Sequence, residues 1–159
     1  MSQVRVTVND RQVQAGLARL ARNAADLSPA MDAIGFAISQ RVASTFDDQS
    51  APSGAAWTPL SPVTLALRRR KRAAGGEQIL RDTGALANSI THEATRNSVD
   101  VGTNRIYAAA QQFGNPGNRI FGKASAPIPA RPFLPTDGIP PDWQGELLDV
   151  LGAHLEPAR

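Results

Sequence analysis

Two histidines, a pair of adjacent carboxylates and one basic run are the residues of this chain whose types bear on chemistry. His92 is followed by Glu93, but neighbouring residues of a strand point to opposite faces and cannot converge on one metal or nucleophile. His154 has no partner at ligand spacing. Asp47 and Asp48 would make a metal pair only if held rigidly, and their turn-prone surroundings read more simply as a solvated helix end. The chain contains no cysteine, which removes disulfides, thiol nucleophiles and thiolate zinc sites and leaves the redox compartment open. Phosphate-loop, nucleophile-elbow and dinucleotide fingerprints are absent from the sequence. These residues predict neither an enzyme nor a bound cofactor.

The basic run is Arg68, Arg69, Arg70, Lys71 and Arg72. Net charge is +3, and setting the run aside leaves 12 basic residues against 14 acidic ones. Basicity is thus a local patch rather than a surface covered in Lys and Arg. Successive helical residues advance about 100° around the axis, so the five cannot form one stripe facing one partner. Three readings stay open: a solvated helix end, contact with acidic neighbouring subunits, and contact with DNA phosphates. No aromatic interleaving or recognition-helix pattern supports reading of bases.

The elements that must position these residues follow from periodicity. Val4, Val6 and Val8 alternate with polar residues as in a half-buried strand. Val13, Leu17, Leu20, Ala24 and Leu27 share one face of a helix over about 11–26, with Asn9 or Asp10 as its cap. Ser28-Pro29 opens a second helix whose inward stripe is Met31, Ile34, Ile38, Val42 and Phe46, so the two form a helical hairpin. Residues 47–56 are a loop, and Trp57 follows it outside any periodic stripe. A third helix spans about 62–73 and ends in the basic run. Ser89 to Ala94 and Val99 to Val101 read as a β-hairpin turning at Arg96-Asn97-Ser98. A short helix then places Ile106, Ala109, Ala110 and Phe113 inward, with Gly114 just past its end. Asp142 caps a last helix that buries Trp143, Leu147, Val150 and Leu151. The fold class is α+β: the helical hairpin packs on a small, mostly antiparallel sheet, followed by a long Pro/Gly-rich arm and a C-terminal helix. One domain over 1–159 accommodates this.

The arm is residues 114–141, with 4 Gly and 7 Pro among 28 positions, too many for regular structure. It also carries Ile120, Phe121, Ile128, Phe133 and Leu134, poor company for a solvated linker. Within it, Pro129-Ala130-Arg131-Pro132-Phe133-Leu134 is extended by its prolines. The segment is either an edge strand on its own sheet or one exchanged between subunits. The candidate interface residues are Trp57, which is alternatively plain core, together with Phe113, Phe121, Arg131, Phe133 and Leu134.

Several of these segments together resemble a known family. Gly54, Trp57, Pro59, Leu60 and Thr64; Leu80, Asp82, Thr83, Gly84, Leu86, Ser89 and Ile90; Val101, Gly102, Tyr107, Ala108, Gln112, Phe113 and Gly114; and Pro129, Arg131, Pro132, Phe133 and Leu134 occur in this order. In that order they resemble the virion morphogenesis (tail completion) family of Mu-like and P2-like tailed bacteriophages. The resemblance covers about residues 40–135. It implies a small α+β structural protein, without enzymatic activity, that finishes the tail or neck so that head and tail can join. The implied partners are copies of itself in a six- or twelve-fold ring and other neck, portal-adaptor or tail-tube proteins. Non-specific contact with genomic DNA is a further expectation, and a basic DNA-binding accessory protein of assembly or packaging is the rival reading. The N-terminal residues contain no apolar stretch suited to a signal peptide or membrane span, so the expected location is the virion, after synthesis in the bacterial cytoplasm.

Overall fold

A computed structural model of the chain describes residues 10–71, 75–117, 119–120, 123–124 and 127–156. The strand expected over Val4 to Val8, like Arg72 and Phe121, lies outside the described residues. The architecture is α+β, with five α-helices and two short antiparallel hairpins among the described residues.

The central element is α2, Ser28–Asp48. Its inward stripe is as the periodicity predicts, with Val42 and Phe46 fully buried and Met31, Ile34 and Ile38 half-buried. Ser28 is the first residue of the helix rather than its cap, and the capping position, Leu27, supplies no side-chain oxygen. Asp26 Oδ1 instead accepts from the Ser28 amide at 3.0 Å and hydroxyl at 2.7 Å, an Asx turn that satisfies the first helical amide. The Ser28 bonds hold the Asp26 carboxyl below its ordinary value.

Strands β1 (Thr91–Ala94) and β2 (Val99–Gly102) pair antiparallel, Thr91 opposite Gly102 and Ala94 opposite Val99. Their inner face lies on α2. Gly35 permits that approach, since a Cβ there would stand 2.5 Å from the His92 ring and 2.7 Å from the Val99 side chain.

The remaining helices differ from expectation in what they bury. Helix α1, Arg11–Ala25, forms where its periodicity places it but buries none of its residues. Val13 is 62% exposed and Leu17 60%. Rather than lying along α2 it leans on α5, Pro141–Leu155. The join is at its C-terminal end, where Asn23 Nδ2 donates to the His154 and Leu155 carbonyls at 3.2 and 3.0 Å. Helix α4, Ala108–Phe113, turns the other way about from the expected inward set: Ala108 and Gln112 are buried, while Ile106 is 98% exposed and Phe113 70%. A helix of under two turns has too few positions for periodicity to choose a face. Helix α3, Pro62–Lys71, starts as predicted, with the Ser61 hydroxyl accepting from the Thr64 amide at 3.2 Å.

The arm is more structured than its proline content suggests. Asn115 and Ile128 exchange backbone hydrogen bonds of 2.8 and 3.0 Å, enclosing a small hairpin of β3 (Arg119–Ile120) and β4 (Lys123–Ala124). Residues 127–134 then return over their own chain. They complete a core of Val42, Phe46, Trp57, Leu86, Ala108, Phe133 and Trp143.

Candidate functional site

The motif segments scattered through the sequence meet in one place, a clasp in which residues 128–134 are gripped from two sides. On one side stands α4. The buried Gln112 carboxamide accepts from the Phe133 and Leu134 amides at 2.9 and 3.1 Å and donates to the Leu134 carbonyl at 2.8 Å. Gln111 adds its carbonyl to the Arg131 amide at 2.7 Å. Gly114 ends the helix at φ 75°, and a Cβ there would lie 2.9 Å from Ile128 O and Ala130 N, so only glycine lets the returning strand this close.

On the other side stands the segment after the 47–56 loop. Trp57 Nε1 donates to the Pro132 carbonyl at 2.7 Å. Arg131 reaches back, Nε to Thr58 O at 2.8 Å and Nη2 to Pro59 O at 3.1 Å. Between the two sides Phe133, 1% exposed, packs on Phe46 with ring centroids 5.5 Å apart. Phe46 meets Trp57 edge-on at 5.6 Å, a favoured aromatic geometry. The prolines at 129 and 132 give up amide donors that this arrangement does not use, while the amides it does use belong to Arg131, Phe133 and Leu134.

Arg131 is buried against carbonyls instead of a carboxylate. Burial lowers its pKa from the ordinary arginine value, with the nearby Arg68 charge adding to the effect. Arg68 is itself largely covered, donating to Gln78 O at 2.5 Å and lying 3.5 Å from Asp82. Arg69 is paired with Glu77, its Nε 2.9 Å from Oε1. The basic run therefore presents Arg70 and Lys71 as its exposed described members besides the paired Arg69, while Arg68 is not solvated as a free helix end would be but binds its own following loop.

Both histidines and Asp47 are engaged in fold contacts. His154 Nε2 lies 3.2 Å from Asn23 O and 3.1 Å from Asp26 O. Two carbonyls can only accept, so that nitrogen carries a proton and joins α5 to the end of α1. His92 sits between Asp32, at 3.2 Å from Nε2, and Ser39, at 3.5 Å from Nδ1. This Asp, His and Ser order superficially resembles a hydrolytic triad. However, the Ser39 hydroxyl donates to Gly35 O at 2.8 Å within its own helix, and no reciprocal proton transfer to His92 is set up. Asp47 pairs with Arg81 at 2.8 Å. Among the described residues no group of three His, Asp or Glu is placed to hold a metal, and no helix is long and apolar enough to cross a membrane.

The model of the phage virion morphogenesis family matches residues 8–156. The chain belongs to that family. As a member it is 36% identical over 126 residues to the "Mu-like prophage FluMu G protein 2" of Haemophilus influenzae, covering 79% of this chain and 78% of the relative. It is also 31% identical over 114 residues to the "Putative capsid assembly protein G" of Escherichia phage Mu, covering 71% and 69%. No solved structure matches.

In this morphogenesis protein the six candidate interface residues divide. Trp57, Arg131 and Phe133 are core residues of their own subunit, because each finds its hydrogen-bond or ring partners within the chain. The expectation that Arg131 and Phe133 anchor a neighbour therefore meets side chains already occupied. Leu134 is half-buried at the rim of the clasp, and Phe121 lies outside the described residues. Phe113 remains as an exposed aromatic beside a groove of about 480 Å³ lined by Gly102, Thr103, Ala108, Phe133, Leu134 and Pro135 among others. The sequence reading missed Gln112 as the latch of the clasp, since a polar residue gives no apolar signal. Its position two residues before Gly114, within one of the segments that carry the family resemblance, was the available hint.

Proposed function

We propose that this protein is a non-enzymatic structural component of the phage head–tail junction that assembles as a ring and enables head and tail to join. The observation that carries the reading is the joint one of family membership over residues 8–156 and large apolar side chains left outside the subunit's own core. Ile106, Phe113, Val13, Leu17 and Leu148 are all more than half exposed. Exposed apolar surface of this kind favours interfaces with other chains. The printed name of the Mu relative, capsid assembly, agrees with a role where the head is completed. A heterologous interface that closes by rotation yields a ring around the DNA exit path, with six- or twelve-fold symmetry suited to that setting. Partners would then be copies of the same chain and adjoining neck, portal-adaptor or tail-tube proteins. The clasp serves this function indirectly, by holding α4 and its exposed Phe113 in a fixed position.

The test is complementation of a phage lacking this gene with Phe113→Ser. Heads and tails that fail to join, together with loss of the purified protein's ring, support the reading; normal particles and an unchanged assembly state refute it.

A further inference from the structure

Helix α3 carries a pattern on its open side that the basic run alone conceals. Val63, Leu67, Arg70 and Lys71 stand at i, i+4, i+7 and i+8 and fall within about 100° of arc on one helical face. Val63 is 69% exposed and Leu67 49%, and Arg70 and Lys71 are exposed beside them. Arg68 and Arg69 are paired with Asp82 and Glu77, whereas no carboxylate lies within salt-bridge distance of Arg70 or Lys71 among the described residues. The helix has 10 residues and buries none of them, a length that is marginal in water without packing of an amphipathic face. Its open face thus offers two apolar side chains followed by two unpaired cations.

A surface of opposite character lies elsewhere on the subunit. A groove of about 710 Å³ runs between the end of α2 and the start of α5, and no residue of α3 lines it. Asp48, Asp137 and Asp142 line this groove together with Pro135, Ile139 and Pro140, and all three carboxylates are exposed. Arg41, the one cation among the described lining residues, is bonded to Glu146 at 2.7 Å. Asp48 sits in the last turn of α2, which holds no basic residue, so its charge meets the negative end of the helix dipole. None of the three carboxylates has a cation partner among the described residues.

Each surface supplies what the other lacks. We propose that the Val63, Leu67, Arg70 and Lys71 face of α3 docks in the acidic groove of a second copy of this chain, its two cations on the three carboxylates and its two apolar side chains on Ile139 and the prolines. An amphipathic helix laid in a groove is a recurrent mode of recognition. Face and groove are different patches of one subunit, so the contact is heterologous and repeats from copy to copy, as closure into a ring requires. The apolar half of the stripe separates this partner from nucleic acid, because phosphates would engage Arg70 and Lys71 while leaving Val63 and Leu67 in water. Helix α1 does not present the same combination, since its exposed Val13 and Leu17 lie on the opposite side of the helix from Arg11 and Arg22. The inference rests on the reading that the chain assembles with itself.

The test uses two charge-reversed variants of the full chain, Arg70→Glu with Lys71→Glu and Asp137→Lys with Asp142→Lys. Light scattering reads their mass at a concentration where the unmodified chain is assembled. The expected result is that each variant alone falls to the single-chain mass, since like charges then face each other. An equimolar mixture regains the assembled mass, because every helix face meets a groove of opposite sign on the other variant. Val63→Ser with Leu67→Ser lowers the assembled fraction without altering charge. Undiminished assembly of either charge variant alone, or a mixture that stays at the single-chain mass, overturns the docking while leaving the assembly reading intact; a single-chain mass for the unmodified protein sinks that reading too. Loss of binding to a non-specific duplex oligonucleotide by the Arg70 and Lys71 variant, with its assembly unchanged, assigns these cations to phosphate and likewise overturns the proposal.

Discussion

The clasp and helix α1 are both built from apolar residues in recognisable patterns, yet they end in opposite states. In the clasp, Phe133, Trp57 and Phe46 are buried, and the Arg131, Phe133 and Leu134 amides and the Leu134 carbonyl are met by Gln111 or Gln112. In α1 the stripe of Val13 and Leu17 faces outward and the helix is tied down at one end. The difference teaches that apolar patterning alone does not say whether a segment belongs to its own core or to an assembly. The deciding feature is whether polar partners converge on the same place.

That comparison is broken most severely at Phe133. Phe133→Ala leaves a cavity against Phe46 in the core, and large-to-small changes of buried aromatics cost about 3–5 kcal/mol. At about 2–4 °C per kcal/mol for a chain of this size, calorimetry should record a drop in melting temperature on the order of 10 °C. Gln112→Leu comes next. It leaves the Phe133 and Leu134 amides without acceptors in a buried setting, a loss of about 1–3 kcal/mol per group in such contexts, visible as a lower urea midpoint with an unchanged slope.

On the other side of the comparison, Leu17→Ser and Phe113→Ser remove exposed side chains and should alter stability by no more than about 0.5 kcal/mol, while lowering the assembled fraction in light scattering. The smallest effect concerns Asp26. Its folded carboxyl titrates below the unfolded one because Ser28 hydrogen-bonds the charged form. The stability it contributes is therefore present above the unfolded value, about 3.9, and is lost as pH falls through the folded value. Thermal melts of Asp26→Asn and the unmodified chain should differ at pH 6 and converge as the pH is lowered below 4.

Much of this fold was legible in the amino acids, and the failures share a cause. The α2 stripe and the β1–β2 hairpin could be read because each spans enough residues for its period to show and is packed on its own subunit. The inward set around α4 differs from expectation because the helix is very short and Ile106 precedes it, while of its two buried residues, Ala108 and Gln112, Gln112 is polar and is buried by partners 21 and 22 residues away. Arg131 and Phe133 stand as interface candidates in the sequence because the flanking prolines hold their segment extended; the carbonyl partners of Arg131 at Thr58 and Pro59 are visible only once the chain is folded. The burial of Trp57 likewise depends on Pro132, far along the chain. Local periodicity reports local packing, and the clasp is held by contacts across long sequence separations.

The central claim is that residues 128–134 complete the fold of their own subunit, leaving assembly to other surfaces. Hydrogen exchange of the dilute, unassembled protein tests it most directly. The account predicts that the amides of Arg131, Phe133 and Leu134 are protected in the single subunit to nearly the same degree as those of α2, with little change on assembly. Rapid exchange of these three amides in the single subunit, followed by protection only when the ring forms, would contradict it and return the segment to the role of an exchanged arm.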